Sequence, residues 1–439
     1  MTRKIEKSNP TAKKVRAELP RRSFLQTALA GGAVASTAYL SLTRDLVAKE
    51  SGPIVIGHQC ELTGGFSSWG YWHDKCAKAA ATLINEGGGI AGRKLEVPVV
   101  DTESNPAAGA RKLRSLIQRS RARFVVGSVH SGIMLASIPI ATELKTPYFS
   151  AGEATEATGS RGSRYSFRTG TDTSALAAAG APWAFKNLGK NWTMIFPDYA
   201  WGHSHHQEHR KLIESMGGKV NDPIAVPLGT KDLVPYLAKI PEETEVLFSV
   251  FFGALSVAFY TQSKAMRLDE KMKMYSVSGT IEAIHPKAIN GAAENVYFLE
   301  NFPRPLEYKN DEHHKKFIEM MNIDPVHAQE NGSDRVMAKS HAWQSYENFF
   351  VLKKAIEASG WQRKKDTPGA IQALEGLEME NSLAHPQGAK LLRGEDHSGM
   401  IDCYMSQVLN DKFVVKRRIP RAEMESLLPP RFDFRKQKL

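Results

Sequence analysis

From Pro53 onward the chain alternates short, apolar, β-rich runs with stretches of helical period, and this alternation restricts the fold more than any single residue does. "PIVIGHQ", "KLEVPVV", "RFVVGS", "TPYFSA", "NWTMIFP", "KVNDPIAV", "EVLFSVFFG" and "KMYSVSG" read as strands. Between them, "NPAAGARKLRSLIQRS" and "GALSVAFYTQSKAMRL" read as helices. Asn105 followed by Pro106 supplies a side-chain cap and a residue pre-set for the first helical turn. Alternation of this kind predicts α/β layers with parallel central sheets, whose ligands bind beyond the carboxyl ends of the strands. The residues just after each strand are therefore the ones to inspect.

Ahead of this body, polar and basic residues give way at Pro20 to "PRRSFLQTALAGGAVASTAYLSL", paired arginines before a mildly apolar run. That is the layout of a secretory signal. Arg21, Arg22, Ser23, Phe24 and Leu25 resemble the twin-arginine signal that directs folded proteins across a bacterial inner membrane. Residues 1–48 are read as this signal, which implies a periplasmic protein. The alternative is a retained anchor, because Phe24 to Leu42 is about long enough to span a bilayer.

The leader holds 9 Lys/Arg and 3 Asp/Glu of the whole chain's 58 and 47, so the remainder carries only a net +5. Its charges are mixed in sign, and nothing in it suggests nucleic acid. Roughly 390 residues remain, enough for two domains. The three cysteines, Cys60, Cys76 and Cys403, are too few for a disulfide scaffold; a Cys60–Cys76 bridge and two buried thiols both stay open. "GGGIAG", from Gly87 to Gly92, satisfies the dinucleotide fingerprint in letters only: it follows a helix and precedes a strand, the reverse of what a phosphate cradle requires. No G-x-x-x-x-G-K-[ST] and no G-x-S-x-G occurs, so phosphoryl transfer and α/β-hydrolase chemistry lose their usual signals.

The ordered set "ELTGGFSSWG", "INEGGGIAGRKLEVPVVDTESNPAAGARK", "FVVGSVHSG", "TPYFSAGEAT", "YSFRTGTD", "FPDYAWG" and "SGT" resembles the leucine/isoleucine/valine-binding type of periplasmic solute receptor for ABC transporters, class I. The resemblance runs from about Pro53 to about Pro420 and implies two Rossmann-like α/β lobes joined by a three-segment hinge, with a ligand cleft between them. Matching crossovers fall near Thr169 to Thr173, Asn301 to Pro305 and His397 to Gly399. The implied division is 49–170 with 303–397 for the N-terminal lobe, 171–302 with 398–425 for the C-terminal lobe, and 426–439 as a basic tail. No cofactor, metal or catalysis is implied; the partners are a small-molecule ligand and a membrane permease, with the protein a monomer.

By this resemblance the first lobe grips a carboxylate-like group with Ser128, His130 and Ser131 after one strand and Gly152, Glu153 and Thr155 after the next. A helix beginning near Ser131 offers unpaired N–H groups and a positive dipole end, which suits an anion; Ser131 as a simple cap is the alternative. Trp69, Tyr199, Trp201 and Phe251 or Phe252 are candidate aromatic walls. Amino-acid receptors of the family need an acidic partner for the ligand's ammonium, and the matching position is Ser278. Glu282, expected in the following helix, or Glu153 would have to supply the charge; otherwise the ligand is a carboxylate or amide with an apolar or aromatic body. Arg168 reads as structural, and "SHAWQSYENFFVLKKAIEASG" as a core helix through Trp343, Tyr346, Phe350 and Leu352 with no site.

"DYAWGHSHHQEH" places four histidines within seven residues. His205 and His209 fall four apart on one helix face, and His203 and His206 three apart on another. A zinc-dependent hydrolase using the cluster would need a third ligand and an open position, and "HHQEH" is not H-E-x-x-H. Trp201 and Tyr199, just upstream, are the better ligand contacts. The leading reading is a receptor for ABC-type uptake; a ligand-sensing subunit on the same fold, the zinc hydrolase, and a purely structural exported protein are the alternatives.

Overall fold

The computed structural model describes residues 52–439, so the leader and the question of an anchor lie outside the described residues. No described helix is long and apolar enough to cross a membrane. Two sheets organise the chain.

The first contains β1 (Ile54–Cys60), β2 (Leu95–Glu96), β3 (Val99–Asp101), β4 (Phe124–Gly127), β5 (Tyr148–Phe149) and β6 (Ser166–Phe167) in the order β2-β1-β4-β5-β6, with β3 also on β1 and every pairing parallel. Helices α1 (Ser67–Glu86), α2 (Pro106–Gln118) and α3 (Ser131–Glu143) return the chain between strands, and α2 starts as expected, with the Asn105 side chain accepting from Ala108 N and Pro106 in its first turn. Helices on both faces explain why β1 and β4 are buried almost without alternation: a parallel strand has no solvent side.

The second sheet repeats the plan. Helix α4 (Thr173–Asn187), capped by the Asp172 side chain, leads into β7 (Asn191–Pro197), α5 (Ala200–Ser215), β8 (Lys219–Val220), β9 (Ile224–Val226), β10 (Val246–Ser249), α6 (Gly253–Ala265), β11 (Lys273–Val277) and β12 (Tyr297–Glu300). The chain crosses back, adds α7 (Lys339–Ser359) to the first lobe against α1, forms a small antiparallel sheet from β13 (Leu377–Met379), β14 (Lys390–Leu392) and β15 (Gly399–Met400), and returns with β16 (Cys403–Leu409) and β17 (Lys412–Ile419). β16 joins β12 antiparallel and β17 joins β16 antiparallel. The second sheet is thus parallel only from β7 to β12, and its antiparallel edge departs from a purely parallel expectation.

The crossing segments lie side by side. Arg168 N donates to His397 O at 3.0 Å and Asn301 Nδ2 to Thr171 Oγ1 at 3.2 Å. Residues 426–439, expected as a basic tail, pack: Leu428 and Phe434 are buried, and Arg431 makes a two-pronged pair with Glu208 of α5 at 2.9 Å. All three cysteines are free thiols, with Cys60 Sγ turned on Gly70 O rather than on Cys76.

Two tight strand-to-helix approaches position the cleft. A Cβ on Gly70 would stand 1.9 Å from Glu61 O, and one on Gly202 2.2 Å from Pro197 O. Only glycine lets α1 and α5 lie that close to the ends of β1 and β7. The residue before each, Trp69 and Trp201, is carried to the mouth of its lobe.

Candidate functional site

The carboxyl ends of both sheets face one cleft. Phe66 follows β1, Val129 follows β4 and Glu153 follows β5; from the other lobe Tyr199 follows β7, Phe252 follows β10 and Gly279 follows β11. Trp69, Trp201 and His341 complete the lining. Phe66 and Phe252 meet across the cleft with centroids 4.3 Å apart, and Tyr199 stands 5.6 Å from Phe252 and 5.3 Å from the His130 ring. The space between them is about 20 Å³, room for roughly one water. The rings thus nearly fill the space between the two sets of strand ends.

Beneath the rings lies a buried charge network. His341, in the first turn of α7, turns Nε2 to Glu153 Oε1 at 3.0 Å and Nδ1 to Glu282 Oε2 in a short contact. Trp201 Nε1–H donates to Glu153 Oε2 at 2.8 Å, and Trp69 Nε1–H reaches Glu282 Oε2 at 3.4 Å. Ser340 N also donates to Glu282. Glu153, His341 and Trp69 belong to the first lobe, Glu282 and Trp201 to the second, so each tryptophan bonds the carboxylate of the opposite lobe. Burial alone would lower the His341 pKa, but the charges of Glu282 and Glu153 outweigh it and hold the imidazole well above its ordinary value. Burial likewise pushes Glu153 up, and His341 with His205 overcomes it, leaving the carboxyl well below the usual range.

The first-lobe anion grip is differently used. Ser128 Oγ–H donates to Glu61 in a short bond, and Val129 N and His130 N point at the same carboxylate at 3.5 and 3.4 Å. Burial pushes the Glu61 carboxyl up to about 7 against those hydrogen bonds. His130, not Ser131, caps α3, its Nδ1 accepting from Gly132 N at 3.0 Å and Ile133 N at 3.3 Å. An imidazole buried in that role stays neutral, its pKa lowered to about 4. Ser131 Oγ accepts from Ala154 N at 3.3 Å, and Gly152 N donates to Ser128 O at 2.9 Å.

Of the residues singled out in the sequence, Trp69, Glu153, Tyr199, Trp201 and Phe252 line the cleft and Glu282 bonds its residues. Phe251 does not: it is fully buried in the second lobe's other core, beside Phe259, because consecutive residues leaving β10 point to opposite faces. Thr155 is turned to the hinge side, its N–H on Ser204 Oγ at 3.1 Å and its hydroxyl on Thr173. Ser278 is buried in a short 3₁₀ turn whose carbonyl accepts from Ile281 N and Glu282 N. Glu282 thus lies in the turn just beyond it, not in a following helix. Arg168 is structural, its guanidinium bonding Ala154 O at 2.9 Å and facing Asp172 at 3.7 Å, which fixes the backbone under Glu153.

Sequence reasoning missed Phe66, Glu61 and His341. Glu61 directly follows an apolar strand, which was the available signal. His341 begins a stripe with Gln344, Ser345 and Asn348 along a helix otherwise buried among apolar residues, and a polar stripe on a buried helix marks something other than core. The helix read as free of a site therefore supplies the imidazole that bridges both acids.

The histidine cluster of α5 does not converge. His205 and His209 are buried, His209 stacked on Phe248 at 4.1 Å; His203 is exposed against Asp198, and His206 stacks on Phe196. His205 and His209 are thus part of the second lobe's interior. Among the described residues no group of three or more His, Cys, Asp or Glu could hold a metal ion. A larger cavity of about 230 Å³ lies behind the crossing segments, where Arg431 is paired with Glu208 and Arg393 with Asp396.

A family model described as periplasmic binding protein matches residues 53–412. Leu/Ile/Val-binding protein homolog 1 of Brucella abortus and of Brucella suis is 25% identical over 191 residues, 43% of this chain and 51% of that protein; the chain thus spans about half the length of the curated relatives it matches. Among solved structures, an ABC-transporter solute-binding protein of R. palustris in complex with benzoate superposes with a TM-score of 0.72 at 18% identity, covering 84% of this chain and 97% of that one. A substrate-binding protein of Sphaerobacter thermophilus gives 0.73 at 22%, covering 84% and 98%. The branched-chain amino acid transporter substrate-binding protein of Streptococcus pneumoniae, in complex with isoleucine, gives 0.67 at 19%, covering 83% and 98%.

Proposed function

The chain belongs to the periplasmic binding protein family, and on that premise we propose that it is an extracytoplasmic receptor that captures a small organic solute between its lobes and delivers it to an ABC-type permease. The observation that carries this reading is the convergence of post-strand residues from both lobes on one aromatic cleft, tied across by Trp201 to Glu153 and Trp69 to Glu282. A solute seated there touches both lobes, so its contacts favour the closed arrangement over the open one. The permease then reads the closed shape. Binding and release suffice for this role, and no bond in the solute is broken.

The solute has an apolar or aromatic body small enough to lie among Phe66, Trp69, Tyr199 and Phe252. The relatives above suggest a range of amino acids and aromatic carboxylates, since one was seen with benzoate and another with isoleucine. Residues 1–48 act as a twin-arginine signal, the hinge runs through the segments near Thr169, Asn301 and His397, and the protein works as a monomer. A thermal-shift panel of amino acids, aromatic acids, amides and amines tests the receptor reading. Some compound raises the melting temperature, because a ligand bound only by the native state must stabilise it. A flat response across the panel breaks it.

A further inference from the structure

The three crossing segments are not the chain's only links between the lobes. Beyond residue 412, where the family match ends, helix Arg421–Leu427 packs on α4, and Met424 and Leu428 are buried in the second lobe's core. Arg431 then pairs with Glu208 of α5 in two parallel contacts at 2.9 Å, so at that point the second lobe still holds the chain. Three residues later the first lobe holds it. Phe434 is buried with its ring edge-on to His397, centroids 5.6 Å apart, and a Cβ on Gly162 would stand 2.4 Å from that ring. Phe434 N donates to Glu395 O at 2.6 Å, and Arg164 donates from N and Nη1 to Gln437 Oε1 and O, both at 3.0 Å.

Two features make this segment a restraint on the lobes. Its free length is short: the three residues from Arg431 to Phe434 reach about 10 Å when fully extended. Without the Arg431 pair the span runs from Leu428, six residues and about 20 Å. The segment also stands off the crossing segments, because the cavity of about 230 Å³ lies between, with Gly170 and Ser398 on one wall and Pro429 and Arg431 on another. A link set apart from a hinge changes length as the lobes rotate, whereas one lying on the axis does not. At the segment's start Arg393, in the first lobe, donates to Leu428 O in a short contact, a further bond between lobes. Phe66 and Phe252 already meet across the cleft, so the rotation left to restrain is opening. Resting on the two-lobe closure of the receptor reading above, we propose that residues 428–439 form a C-terminal strap that limits opening of the cleft, with the Arg431–Glu208 pair as its releasable joint.

The test lengthens the strap without removing any of its anchors. Five Gly/Ser residues inserted between Arg431 and Phe432 add about 17 Å of reach, and a longer surface loop costs little in itself. Two measurements on the solute-free protein read the opening: acrylamide quenching of tryptophan fluorescence, since Trp69 and Trp201 are only 2% and 5% exposed in the closed cleft, and X-ray scattering. The insertion should raise quenching about twofold and enlarge the radius of gyration, as a shift toward open forms requires. Arg431→Gln, which removes only the joint, should move both in the same direction by less, since a partly exposed pair changes an open-to-closed ratio by about two- to fivefold at most. An insertion variant that melts cooperatively with quenching and radius unchanged or reduced overturns the inference. Should the insertion fail to fold, a folded Arg431→Gln indistinguishable from wild type in both measurements overturns it instead. Neither measurement uses a solute, so failure here leaves the receptor reading standing, and a flat solute panel breaks that reading without altering this result.

Discussion

Helix α5 carries four histidines within seven residues and the first turn of α7 carries one, yet it is the single one that holds charge. On α5 the helical period scatters the rings: His205 and His209 go inward against Phe248, His206 packs on Phe196, and His203 faces solvent beside Asp198. At α7, His341 meets carboxylates delivered by two other strand ends, one in each lobe. Burial lowers the pKa of His205 and His209: at His205 it outweighs the pull of Glu153, 3.9 Å away, and of Asp172, and at His209 no acid opposes it. Equal burial at His341 is overcome by Glu282 and Glu153. Density along the chain and convergence in space are different signals, and only the second makes a charged site.

The largest test of this contrast is His341→Ala set beside His209→Leu. The first leaves Glu153 and Glu282 facing one another without a counter-charge; losing one partner from a buried ionic network costs about 3–5 kcal/mol. The second replaces a buried neutral ring by an apolar side chain and should cost about 1–2 kcal/mol. Denaturant titration of both variants measures the two. Comparable losses would mean that His341 is core like His209.

The pH dependence sharpens it, because the two positions have opposite signs. A histidine whose folded pKa is raised contributes stability that is fully present below its unfolded value, near 6.5, and lost as pH rises through the folded value. The stability gap between wild type and His341→Ala should therefore be widest near pH 6 and narrow at alkaline pH. His209 is held neutral in the fold, so the unfolded chain takes up its proton as pH falls below about 6.5, and the native state loses stability there. His209→Leu removes that loss and should compare better with wild type at pH 5 than at pH 8. Melting curves of the three proteins across this range decide the matter, and parallel profiles would sink the charge assignment at His341.

The sequence makes some of this legible and hides the rest for a stateable reason. Strand and helix order could be read because parallel strands buried on both faces leave apolar runs, as in "IVIGHQC" and "FVVG", and because Asn105-Pro106 is local chemistry. Trp69 and Trp201 could be read through the family resemblance, and in the structure each precedes a glycine that a close strand-to-helix approach requires. Phe251 and Phe252 could not be told apart, since neighbouring residues beyond a strand end differ only in which face they take. Glu61 and His341 act through partners 67 and 59 residues away at the nearest, and spacing on one element cannot announce a contact made by another.

Trp201→Phe probes the link between the regions, since Trp201 sits on the histidine helix but bonds the α7 network. The ring remains while the N–H donated to Glu153 is lost. A buried carboxylate deprived of one donor costs about 1–3 kcal/mol, and solute affinity should fall by a comparable factor because the bond crosses between lobes. An unchanged variant would make the indole a wall and nothing more.

The smallest effect belongs to His203→Ala. Its ring lies 2.7 Å from Asp198, and both side chains are about half exposed, at 48% and 54%. Pairs in water contribute little, about 0.2–1 kcal/mol and less with salt, since solvent screens the charge and two side chains must be held in one geometry. His203→Ala should therefore melt within about 0.5 kcal/mol of wild type and bind solute unchanged. Chelator and added zinc should likewise leave both melting temperatures where they are, because the four rings on α5 never face a common point. A zinc-dependent rise in wild type that His203→Ala abolishes would restore the histidine cluster as a site and undo the contrast with α7.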